Sequence, residues 1–144
     1  MIIKKQGSAV WQGGIKDGKG AISTESGALE SHYYGFNSRF EGVKGTNPEE
    51  LLAAAHAGCF TMALSLILGE AGLTANKLST SAVVSLEKFE DGFSITAVHL
   101  VLEGDVPGAT PEQFAELAAK AKAGCPVSKL FNAKITLDAT LTTA

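Results

Sequence analysis

The sequence predicts an α+β fold, and three observations carry that expectation. A run of 18 residues from Leu51 to Leu68 holds no Asp, Glu, Lys or Arg, which is long enough for one deeply embedded helix. Two β-branched apolar runs, Ser81 to Lys88 and Phe93 to Glu103, are joined by Glu90-Asp91-Gly92, an Asp-Gly turn of the hairpin type. The elements then follow the order strands, long helix, hairpin, helices, strand, rather than repeating βαβ units.

Each element has a local reason. Ile3 to Trp11 and Ala21 to Thr24 read as short strands, linked by a glycine-rich segment, Gly13 to Gly18, that supplies the positive-φ positions of a hairpin loop. Glu25 to Thr46 is mixed and turn-rich, with Tyr33, Tyr34, Phe36 and Phe40 set among Gly, Asn and Ser, and reads as an ordered surface loop or strand. Asn47-Pro48-Glu49-Glu50 starts a helix: Asn47 caps, Pro48 suits the first helical position, and Glu50 closes a capping box. That helix runs to about Gly69 to Gly72.

In the second apolar run the alternation slips after Ala97, which predicts burial on both faces or a bulge. Thr110-Pro111-Glu112-Gln113 repeats the capping logic and opens a helix towards Lys122, broken by Gly124. Cys125-Pro126-Val127-Ser128 reads as another helix start. Ile135, Leu137, Ala139 and Leu141, alternating with polar residues, form a half-buried closing strand.

With 144 residues and 45% hydrophobic content, the chain is expected to form a single domain spanning residues 1–144. Twelve basic and 15 acidic residues, scattered to a net charge of −3, provide no cationic stripe, so nucleic acid is excluded as a partner. The N-terminus lacks the apolar segment and cleavage site of a secretory signal, which places the protein in the cytoplasm. The Leu51 to Leu68 run touches the lower length of a membrane span, but Ala, Gly, His, Thr and Ser dilute it. A helix enclosed in a soluble core, or clasped by a second subunit, accounts for it better.

The two cysteines are the residues with most chemical promise. They lie 66 positions apart in a chain that needs no disulfide staple. Cys59 sits in the apolar helix, where a thiol is either an inert small hydrophobe or a reactive group with unusual support. Cys125 falls at a helix start, where free backbone N–H groups favour a thiolate. His56 and Cys59, three apart on one helix face, are also a conceivable pair of metal ligands, although no Cys-x-x-Cys or His-Glu-x-x-His motif accompanies them.

Three segments carry a more specific signal: Arg39-Phe40-Glu41-Gly42, the stretch from Gly45 to Phe60 that contains Ala55-His56-Ala57-Gly58-Cys59, and Ala123-Gly124-Cys125-Pro126-Val127-Ser128. Together they resemble the OsmC/Ohr family, over essentially the whole chain. The resemblance implies an OsmC-like fold, with antiparallel sheets around a long central buried helix in an intertwined homodimer. It also implies an organic hydroperoxide peroxidase of oxidative and osmotic stress defence. In such an enzyme Cys59 attacks the peroxide and becomes a sulfenic acid. Cys125 resolves it to a disulfide, which an external dithiol of the lipoyl or thioredoxin type reduces without metal or other cofactor. The family's arginine and glutamate match Arg39 and Glu49. A redox sensor or thiol-binding stress protein that is oxidised without turnover, and a metal-binding protein using His56 and the cysteines, are the alternatives.

Helix geometry refines this assignment. At ~100° per residue Glu49 lies about 80° from Cys59, whereas Glu50 lies on the opposite face. Ten residues at ~1.5 Å also set Glu49 about 15 Å along the axis from its own Cys59, so service to the thiolate requires an antiparallel helix from a second copy. Phe60 and Met62, with Phe36 and Phe40, are the expected apolar surroundings of an alkyl or aryl peroxide.

Overall fold

The computed structural model describes residues 1–143, which form two compact units, 1–51 and 52–143. In the first unit, β1 (Gly7–Gln12), β2 (Lys19–Thr24) and β3 (His32–Tyr34) make an antiparallel meander. β1 begins at Gly7 rather than Ile3 because its partner ends: Thr24 pairs with Gly7, Glu25 N–H reaches Gln6 C=O at 3.1 Å, and the chain then turns through Gly27. Gly20 on the central strand pairs with Trp11 on one side and Tyr34 on the other. A Cβ there would strike both rings, so glycine permits their edge-on contact at 5.5 Å between centroids.

The turn-rich segment expected as loop or strand contains β3 and also α1 (Phe36–Phe40). The helix is held by buried Ser38, whose hydroxyl accepts the Gly35 N–H at 2.9 Å and donates to Thr46 C=O at 3.0 Å.

α2 (Pro48–Glu70) starts as its sequence requires, with Asn47 Oδ1 accepting the Glu50 N–H at 2.8 Å. The capping box is incomplete: the Glu50 carboxylate accepts instead from the Thr46 hydroxyl and the Asn47 side-chain amide. Gly72, at φ +77°, ends the helix in a Schellman motif, with Leu73 N–H on Leu68 C=O and Gly72 N–H on Gly69 C=O. Length and composition alone would let α2 cross a membrane. Its buried stripe, His56, Phe60, Leu64 and Leu68, instead lies against the second unit's own core. The expectation of a helix enclosed on all sides does not hold within one chain: Ala54, Gly58, Met62 and Leu66 form an exposed face, with Met62 78% exposed.

In the second unit, β4 (Lys77–Phe89) and β5 (Gly92–Asp105) form the Asp-Gly hairpin, longer at both ends than the sequence suggested. The slip in alternation is a bulge. Ser85 pairs with Ala97 and Leu86 with Ile95, so Thr96 is extra, and beyond it Val98, Leu100 and Leu102 all face the core while Val101 faces out. α3 (Pro111–Gly124), capped by Thr110, and α4 (Pro126–Leu130) lead to β6 (Lys134–Leu141). β6 pairs with β5 in parallel, so this sheet is mixed where an antiparallel one was expected; the helical connection carries the chain back to the same end. Gly104 of β5 leaves room for the Phe114 ring, which seats α3 on the sheet.

Candidate active site

Cys59 and Cys125 meet in the second unit. Cys59 is half-buried on α2 and Cys125 is fully buried between α3 and α4. Cys125 ends α3 through its N–H on Ala121 C=O at 2.9 Å, and its ψ of 127° follows from Pro126, which disfavours helical backbone in the residue before it. The chain therefore turns at Cys125 and returns its thiol to α2, within hydrogen-bonding range of the Cys59 thiol.

Burial pushes the Cys59 thiol up, and its hydrogen bond with Cys125 adds to the rise; the backbone N–H of Val127 works against both by donating to the Cys59 sulfur. Sequence reasoning gave the start of α4 to Cys125. Cys125 makes no side-chain cap bond, and a backbone donor of that segment serves Cys59 instead. No residue-type signal could have shown this, because the donor is main chain.

One turn before Cys59, fully buried His56 places Nε2 at 2.7 Å from Ser128 Oγ and packs edge-on against Phe131, with 5.3 Å between centroids. Its Nδ1 has no partner among the described residues, and burial lowers its pKa below the usual histidine value. The Ser128 interaction was missed; the i+3 spacing of Ser128 from Cys125 in a helix start was the available hint. Among the described residues no three His, Cys, Asp or Glu side chains are grouped closely enough to hold a metal ion.

Arg39 and Glu49 meet in the first unit. Arg39 Nε lies 3.0 and 3.2 Å from the two carboxylate oxygens, and a terminal guanidinium nitrogen lies 2.6 Å from Oε1. The fork is engaged by Glu49 and not Glu50, as helix angle predicts. The guanidinium also lies 5.2 Å from the Phe40 ring centre. Trp11, Ile15, Tyr34, Phe36, Arg39 and Phe40 line a cavity of about 300 Å³. Of the apolar residues expected around the thiol, Phe60 is a fully buried core residue and Met62 points outward, whereas Phe36 and Phe40 line this cavity in the first unit. The four predicted residues thus appear as two pairs, an ion pair in the first unit and a thiol pair in the second.

Paired thiols on an α+β scaffold, one on a core helix and one at a helix junction, are the arrangement that thiol-redox chemistry requires. The family described as OsmC-like protein matches residues 41–140. Peroxiredoxin OsmC of Escherichia coli (strain K12) is 59% identical over 96% of both chains. Organic hydroperoxide resistance protein OhrB of Bacillus subtilis (strain 168) is 35% identical over 76% of this chain and 79% of its own. The crystal structure of Bacillus subtilis OhrB superposes with a TM-score of 0.70 and 30% identity, over 95% of this chain and 98% of that one. An OsmC-like protein from Mycoplasma pneumoniae shares the fold, with a TM-score of 0.76 at 20% identity. The chain belongs to the OsmC/Ohr family.

Proposed function

We propose that this protein reduces organic hydroperoxides through Cys59 and Cys125, with Arg39 and Glu49 completing the site across a homodimer. Of the relatives named above, one is a peroxiredoxin and another an organic hydroperoxide resistance protein, which supports this reading. The observation that carries the finer reading is the contact between the two thiols, with the Val127 N–H directed to Cys59. The Cys59 thiolate attacks the terminal peroxide oxygen, the O–O bond breaks, and the alkoxide leaves as alcohol after taking a proton. Cys125 then attacks the sulfenic sulfur, the S–O bond breaks and water leaves. An external dithiol, of lipoyl or thioredoxin type, reduces the disulfide and is itself oxidised.

The ion pair enters by assembly. Burial raises the Cys59 pKa, so a reactive thiolate there needs further support. A guanidinium held by a bidentate carboxylate is the group such a thiolate needs. The exposed face of α2, with Ala54 and Gly58, allows a second copy to approach closely and bring its Arg39. The aromatic cavity beside Arg39 suits the organic part of an alkyl or aryl hydroperoxide, and the cytoplasm supplies the dithiol.

Steady-state consumption of cumene hydroperoxide with dihydrolipoamide tests the reading. Cys59→Ser should abolish turnover, and Cys125→Ser should retain it only with monothiols; full activity in Cys59→Ser would overturn the assignment.

A further inference from the structure

The proposed chemistry leaves one buried titratable side chain unused. The His56 ring is fully enclosed, with Nε2 on Ser128 and Nδ1 without a partner among the described residues. An apolar side chain would fill the same space without leaving a ring nitrogen unpaired, so the histidine is retained at a cost in stability. Burial keeps it neutral, so a fixed positive charge is not what it supplies.

What His56 holds is α4. That helix has five residues and buries none of them fully, so neither its length nor a core of its own fixes its position. Val127 and Phe131 pack against the core, and the His56 contact with Ser128 is a side-chain hydrogen bond from α2 to this segment. The same short segment begins at Cys125 and carries the Val127 N–H that reaches Cys59. His56 stands three residues before Cys59, on the neighbouring turn of one helix side. A bond from His56 to Ser128 therefore fixes α4 against the part of α2 that bears the attacking sulfur.

We propose that His56 and Ser128 are positioning residues, forming a latch between α2 and α4 that keeps the Val127 N–H on the Cys59 sulfur and the Cys125 thiol beside it. This rests on the reading of Cys59 as the attacking thiol. The latch contributes neither electrons nor a proton. In the resolving step the S–S bond forms as the S–O bond breaks, and the Cys125 proton leaves with the hydroxyl as water; the latch sets the approach of the two sulfurs. With the latch broken, α4 is free to shift, the thiolate loses its backbone donor, and the sulfenic acid waits longer for Cys125.

The test uses the full chain with Ser128→Ala, which removes one hydroxyl, Ser128→Thr, which restores it, and His56→Asn, which is too short to reach Ser128. Alkylation of Cys59 by iodoacetamide is followed against pH by peptide mass spectrometry. Dimedone traps the sulfenic acid after one equivalent of cumene hydroperoxide. Ser128→Ala should move the alkylation midpoint up by about half a unit or more, slowing the reaction at neutral pH roughly threefold, and should raise the dimedone adduct. His56→Asn should match it, the double variant should shift no further than either single one, and Ser128→Thr should return to the parent. Profiles and adduct yields that overlay the parent in both Ser128→Ala and His56→Asn would overturn the latch. Alkylation needs no turnover, so a parent protein inert to peroxide would count against the peroxidase reading and leave the latch measurable.

Discussion

The start of α2 and its middle hold side chains of opposite character. At the start, Arg39 and Glu49 form a charged pair whose side chains are 36% and 12% exposed, in contact with water and with aromatic rings. In the middle, Cys59 and Cys125 lie against apolar side chains, where desolvation dominates the thiol's pKa. An arginine buried beside the thiol within that core would carry a desolvation cost of several kcal/mol. In the proposed assembly the ion pair stays at a surface of each chain and reaches the thiol by association of two copies, which avoids burying it during the folding of either chain. As a stability element the exposed pair is worth little, about 0–1 kcal/mol, so its geometry is better explained by chemistry than by folding.

The largest effect separates these regions genetically. Cys59→Ser and Glu49→Gln chains, each nearly inactive alone, should recover activity when unfolded together and refolded as a mixture. Random pairing makes about half of the dimers mixed, each with one intact site, so roughly a quarter of the parent's turnover should return. Recovery no greater than the sum of the two separate variants would break the idea that the two pairs act across subunits. A smaller effect tests the fork itself. Arg39→Lys keeps the charge and loses the planar donors that engage both Glu49 oxygens, so kcat/KM for cumene hydroperoxide should fall roughly tenfold or more, equivalent to about 1.4 kcal/mol. An unchanged value would reduce the pair to a point charge.

The same contrast governs what could be read from the sequence. Residue-specific signals were legible: the Asn47 and Thr110 caps, the Asp-Gly hairpin, the slip near Ala97, and Glu49 rather than Glu50 as Arg39's partner. Each depends on side-chain type or helical angle at short range. The parallel pairing of β6, the short α1 and the Val127 donor were not legible. A five-residue helix has too few turns for periodicity, strand direction depends on the connection as a whole, and a backbone amide is common to every residue except proline. The enclosed helix was half legible: its apolar composition is plain, but which face its own chain covers depends on tertiary packing.

The smallest effect lies in the pH dependence of stability, where two neighbours on α2 act on opposite limbs. Burial lowers the His56 pKa, so on acidification the unfolded chain takes up a proton before the native one does. Its contribution is complete above about pH 6.5 and is lost as pH falls through the native value, with a slope of at most ~1.36 kcal/mol per unit. Burial raises the Cys59 pKa, so the unfolded chain releases its proton first on the alkaline side. That contribution is complete below about pH 8.5 and is lost as pH rises through the native value. Urea unfolding of the reduced protein from pH 5 to pH 10 should therefore give a stability maximum between these limits. His56→Asn should flatten the acid limb and Cys59→Ser the alkaline one, each without altering the other. An acid limb that survives His56→Asn would assign it to other groups and leave His56 a packing residue tied to Ser128.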